Sequence, residues 1–162
     1  MSAPRKVLLL GGVVLAAVGM LYGLHYAVFV EHQTLEQMGG SLMQAFVHAA
    51  ERNTVEAHSA VDTYAATKYN YIRQVDIHSH WIGLAMLLMV LGVAFDSVSF
   101  SERARTWIAI ALLTGSFLFP LGVILQTVSR NAGFASTLAI FGSATVTIAL
   151  TAVVWGFWRQ AA

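Results

Sequence analysis

Four runs of roughly 20 or more apolar residues leave this chain few ways to fold. They span residues 7–30, 81–100, 107–128 and 134–158, and no run carries more than one ionisable residue near its centre. In hydrocarbon every backbone N–H and C=O must be satisfied within the segment, so runs of this length form helices. Only 10% of the residues are charged, against about 25% in an ordinary soluble domain. The expectation is an all-α integral membrane protein: a four-helix bundle in the lipid bilayer, with a helical extramembrane segment, 31–77, between helices 1 and 2. The absence of central charges removes any ion path built from side-chain charge across the bilayer.

Arg5 and Lys6 precede the first run as in a secretory signal, but the run exceeds the 7 to 15 residues of a signal core and has no clear small-residue cleavage site. It reads as a retained anchor. Basic residues then set the orientation. Arg5 and Lys6, Arg103 and Arg105, and Arg159 fall at one side, with Arg130 alone between the third and fourth runs. The positive-inside rule puts both termini in the cytoplasm and segment 31–77 outside, in a bacterial-type inner membrane. The chain has no cysteine, which excludes disulfides, iron–sulfur ligation and covalent haem attachment. Its net charge of +1 offers no nucleic-acid footprint.

Segment 31–77 is too small to bury a core of its own, so it must pack on its own spans, on other membrane subunits or on a second copy. Its first part continues the first helix until Gly39-Gly40 weakens it. Leu42, Met43, Phe46, Val47 and Ala50 then recur at helical spacing, and Asn53-Thr54 ends one helix or caps the next. From Thr54 to Gly83 there is no glycine or proline, which predicts one long helix, or two with a small break, entering the membrane. Short connections at 99–105 and 129–133 imply antiparallel neighbours. Gly19 and Gly23, and the ladder Ser143, Thr147 and Thr151, are small-residue faces suited to close helix contact. Pro120 predicts a kink in the third span, with Thr114 and Ser116 placed to satisfy the freed backbone groups.

All six histidines lie between His25 and His80. His25, His32 and Glu36 share one helical stripe. His32 with Glu36, His58 with Asp62 and Asp76 with His80 are i, i+4 pairs, and His48 stands three before Glu51. A carboxylate accepting an imidazole N–H orients a metal-ligating histidine. The same spacing also serves as plain surface pairing worth a few tenths of a kcal/mol. His25, His78 and His80 differ from the others in lying where water gives way to lipid, a geometry for a ligand bridging the first and second spans. His78 and His80 point about 200° apart on a regular helix and cannot both hold one ion.

The His-x-His run that enters the second span, IHSHWIGLAMLLMVLG, resembles the cofactor-bearing helix of cbb3-type oxidases and nitric-oxide reductases in the haem–copper family. There a helical His-x-His ligates two haems on opposite faces, which the resemblance maps onto His78 and His80. The family's copper-site histidines and remaining haem ligands have no counterpart, so oxygen or nitric-oxide reduction is not implied. Phe29, Trp81, Met86 and Met89 are candidates to line a haem slot, and equally to serve as ordinary packing. Tyr69, Tyr71 and Trp81 suit an interfacial aromatic belt. Arg73 suits a haem propionate or Asp76.

No phosphate loop, G-x-S-x-G or HExxH occurs, and the Glu-x-x-His of di-iron bundles is absent. Three readings remain. The first is a haem b-binding electron-transfer subunit with His25 and one of His78 or His80 as axial ligands. The second is a copper or zinc site built from the six histidines with Glu36, Asp62 and Asp76. The third is a non-catalytic accessory subunit of a larger membrane complex.

Overall fold

The computed structural model describes residues 1–128 and 132–161. Among these the fold is helical throughout, with no strand: α1 Ala3–Phe29, α2 Glu31–Ala50, α3 Thr54–Ala94, a 3-10 turn Phe95–Ser97, α4 Glu102–Val128 and α5 Ala132–Ala161. Four of these helices are long and apolar enough to cross a membrane. The protein is a multi-pass membrane protein. The predicted connection at 129–133 lies largely outside the described residues.

The chain divides into two compact units, Met1–Met20 with Ile77–Ala162, and Leu21–Asp76. The first is the bundle of apolar helices. Its seams are built on glycine, because lipid tails are as apolar as leucine and association must come from close packing. Between α1 and α3, a Cβ on Gly12 would stand 2.7 Å from Met89, and one on Gly92 would stand 2.9 Å from Leu9. Between α4 and α5 the backbones themselves touch: a Cβ on Gly122 would meet the Ala139 nitrogen at 2.4 Å, and one on Gly142 the Phe119 nitrogen at 2.5 Å. Leu8, Ile77, Leu88 and Leu112 fill the spaces left inside.

The second span ends sooner than the hydropathy suggests. Regular helix stops at Ala94, and residues 95–101 fold back against α5, where the Ser99 N–H donates to the Gly156 carbonyl at 3.2 Å. Phe95 is fully buried in this turn. Asp96, the one acidic residue in that run, lies in this turn. Its carboxylate accepts from Ser2 and pairs with Arg5 at 3.5 Å, while its carbonyl accepts from Arg105 at 2.8 Å. The exposed pair with Arg5 contributes at most about 1 kcal/mol, but it draws the start of α1, the end of α3 and the start of α4 together. Ser101 caps α4, its hydroxyl accepting from the Ala104 N–H. Pro120 is buried in α4, which stays one helix through it. The expected service of Ser116 to that break is not seen: its hydroxyl is buried and lacks a hydrogen-bond partner.

In the second unit α2 and α3 form an antiparallel hairpin. Gly39-Gly40 does not weaken α2, which runs intact to Ala50; the interruption falls instead at Val30, whose φ of −123° leaves the helical range. The hairpin turns on Arg52, the one non-glycine residue with positive φ among the described residues, at 60°. The Asn53 N–H reaches back to the His48 carbonyl and the Arg52 N–H to that of Ala49, a Schellman closure. Asn53 then caps α3, its side-chain oxygen accepting from the Glu56 N–H. From there α3 runs 41 residues without a break, about 60 Å at 1.5 Å per residue and twice the thickness of a hydrocarbon core. At the other end of the hairpin Tyr22 donates to Gln74, and Tyr71 donates to Glu31 at 3.2 Å.

Two substitutions check these seams. Arg52→Gly relieves a left-handed residue and should stabilise the hairpin by about 1 kcal/mol, read as slower amide exchange around residues 48–57. Gly142→Ala forces α4 from α5 and should cost about 1–3 kcal/mol, read as a lower unfolding midpoint in detergent.

Candidate functional site

His78 and His80 sit on the uninterrupted part of α3, so the regular helix turns them to different neighbours. The His78 ring reaches α1, where Nδ1 lies 2.8 Å from the Gly19 carbonyl oxygen. The contact is possible because Gly19 has no side chain: a Cβ there would stand 2.9 Å from that of Trp81. A carbonyl can only accept, so His78 donates from Nδ1–H, and in the neutral imidazole Nε2 is then the nitrogen with the free lone pair. This is the device that orients a ligating imidazole, and it is equally a satisfied polar bridge between two apolar helices.

His80 turns toward α4. Its ring stands edge-on to Phe119, with centroids 4.9 Å apart and planes at 90°. With Ser79, Gly83 and Leu84 it lines an open groove of about 280 Å³. One turn beyond His80, Gly83 has no atom within 4 Å of the place a Cβ would take. The surface of the groove is mostly carbon, with the Ser79 hydroxyl and the His80 imidazole as its polar side chains.

The remaining predicted ligands are elsewhere. His25 belongs to the second unit, exposed on α1 and tilted against Phe29 with ring centroids 5.4 Å apart. His32 lies 3.1 Å from Glu36, and His48 lies 3.4 Å from Glu51; His32 and both carboxylates are exposed. His58, Asp62 and Asp76 are exposed on α3. Arg73 stacks on Tyr69 of its own helix at 4.6 Å. Tyr71 is held by Glu31, whose carboxylate, accepting from the phenol, pushes the Tyr71 pKa up.

Among the described residues no three His, Asp or Glu side chains gather where one metal ion would reach them all. The residues of the copper or zinc reading, His25, His32, His48, His58, His78, His80, Glu36, Asp62 and Asp76, therefore form no group of three. The paired residues share a helix face, which turns each pair outward singly instead of bringing pairs together. The proposed slot residues also separate. Trp81 is buried and stacks on Phe117 at 6.5 Å, whereas Phe29 and Met86 are exposed. Met89 packs beside Gly12.

Sequence reasoning missed Gly83 and Phe119 as surroundings of His80, and Gly19 as the acceptor for His78. The signal for Gly83 was present: a glycine three residues after an interfacial histidine places bare backbone on the adjacent turn. Comparison with models of protein families, with curated proteins and with solved structures returns no match. The site therefore stands on its own geometry.

His78→Ala should remove the bridge to Gly19 and lower stability by roughly 1 kcal/mol, measured as a shifted unfolding midpoint. Preserved helicity by far-ultraviolet circular dichroism would accompany it.

Proposed function

We propose that this chain is a haem b-binding electron-transfer subunit of a membrane complex, with His80 as an axial ligand. The observation that carries the reading is the open groove beside His80, whose floor is bare at Gly83. A flat macrocycle ligated from a helix needs apolar surface and the absence of a side chain one turn away, and the groove offers both. A haem needs one or two axial ligands, so it does not require three donor side chains to gather. When bound, the haem supplies a one-electron couple. The protein's part is to hold the imidazole of His80 against Phe119.

The distribution of Arg5, Lys6, Arg103, Arg105 and Arg159 supports an orientation with both termini cytoplasmic and the hairpin outside, in a bacterial-type inner membrane. The haem would then lie near the outer face. The scaffold reading keeps one specific support: the hairpin exposes large apolar side chains, Phe46 at 70% and Met43 at 68%, as a subunit surface would.

A reduced-minus-oxidised visible spectrum, taken on membranes and again on protein purified in mild detergent, decides between these. Sharp α and Soret bands near one haem per chain are expected. His80→Ala should lose them, while His78→Ala should keep them. Folded protein with no haem signal in either sample overturns the proposal and leaves the scaffold reading.

A further inference from the structure

Five basic side chains gather at the end of the bundle where α1 and α4 start and α5 finishes: Arg5, Lys6, Arg103, Arg105 and Arg159. Two carboxylates, Asp96 and Glu102, accompany them. Asp96 is taken by Arg5 and Arg105. Arg103 and Arg159 are exposed, and neither forms an ion pair among the described residues. Arg159 instead lies over the ring of Trp155, 5.6 Å from its centroid.

The α4–α5 seam sets the depth of these two arginines. Gly122 lies beside Ala139, Phe119 beside Gly142, and Gly115 beside Val146. Continued along both helices, this antiparallel register puts Arg103 level with Trp158, one residue from Arg159. Further into the membrane, two apolar grooves flank α5. One, of about 310 Å³, lies against α4 and is lined by Trp107, Ala111, Thr145 and Ala152 among others. The second, of about 440 Å³, is lined by Phe100, Thr151 and Trp155. They adjoin along Ile148 and Ala152, which line both. The hydroxyls of Thr145, Thr147 and Thr151 donate to carbonyls of their own helix, so these threonines offer an occupant no free donor.

Helical phase carries each arginine onto a groove-lining stripe. Arg103 precedes Trp107 by four residues and Ala111 by eight, while Arg159 follows Ala152 by seven and Thr145 by fourteen. Glu102, 100° back from Arg103, falls on the far side of α4 from the groove. Trp107, Trp155 and Trp158 are all more than half exposed at this end, and exposed indoles mark the headgroup level of a bilayer. Two unpaired cations thus stand at headgroup depth, with grooves fit only for hydrocarbon beneath them.

We infer that this end of the α4–α5 pair binds one anionic phospholipid, its phosphate between Arg103 and Arg159 and its two acyl chains in the adjoining grooves. Basic pockets between membrane helices recognise such headgroups by charge, and the depth selects the source: a phosphate at this level that carries hydrocarbon chains is a lipid. The inference needs only that this end of the bundle lies at a membrane surface, and it does not rest on the haem reading.

The full chain, purified in mild detergent and stripped of lipid, would be titrated with phosphatidylglycerol, with phosphatidylcholine of the same chains, and with inorganic phosphate. Native mass spectrometry counts adducts, and the unfolding midpoint reports their effect. One firmly held phosphatidylglycerol per chain is expected, preferred about tenfold over phosphatidylcholine, with no stabilisation by inorganic phosphate. Arg103→Gln combined with Arg159→Gln should abolish the preference, and Lys6→Gln should keep it. Ala152→Phe, which fills the join of the grooves, should weaken retention of phosphatidylglycerol with both arginines intact. Equal retention of the two lipids, a preference that survives loss of both arginines, or stabilisation by inorganic phosphate alone overturns the inference. So does a dimer that excludes lipid, which would assign the grooves to a second copy. If the double variant fails to fold, the lipid preference of the unaltered protein and its response to Ala152→Phe still decide.

Discussion

Apolar helices in lipid gain nothing by hiding apolar surface from one another, so whatever holds this bundle must work through contact distance. Here that means backbone against backbone. The α4–α5 seam leaves no room for a methyl group at Gly122 or Gly142, and the α1–α3 seam is nearly as tight at Gly12, Gly19 and Gly92. Everything else in the membrane unit follows from these approaches. Because Gly19 brings α1 close to α3, its carbonyl is within reach of His78. Because the turn after Ala94 packs on α5 at Gly156, Asp96 lies where Ser2, Arg5 and Arg105 find it.

The same economy of side chains governs the hairpin, with the opposite result. Small residues draw α2 and α3 together, and this turns their large apolar residues outward. Inside a bilayer that arrangement is neutral, because lipid solvates the exposed surface. Outside it, exposed Phe46, Leu42 and Ile72 are costly to leave in water. The two halves of the protein thus use one packing rule, small residues at the seam and large apolar residues turned outward.

Much of the architecture was legible in the residues. Run length and the demand for internal hydrogen bonding specify helices at the four spans, and the lack of glycine or proline from Thr54 to Gly83 predicts the long α3. Two boundaries were not legible. Gly39-Gly40 looks like a break by propensity, yet the penalty of about 1 kcal/mol per glycine is outweighed by the rest of α2. The second run reads to residue 100 by hydropathy, yet regular helix ends at Ala94, and Asp96 in the turn that follows finds its partners on other elements. The histidines divide in the same way. The 200° separation of His78 and His80 is a property of any regular helix, while their neighbours, Gly19 and Phe119, come from helices distant in sequence. Pairs such as His32 and Glu36 formed as the spacing suggests, but spacing carries no information on whether pairs from different helices converge.

By itself the sequence determined the class of the molecule: helices, their number across the membrane, and histidines gathered in one half of the chain. These depend on local quantities, namely apolar length, backbone hydrogen bonding and residue type. The tertiary structure decided which surfaces are close and which are bare. It turned His78 into a bridge, opened a groove beside His80, kept the carboxylate-paired histidines apart, and left large apolar side chains of the hairpin exposed. Each of these depends on the distance between backbones at glycine and other small residues, a quantity set jointly by two helices and written in neither one alone.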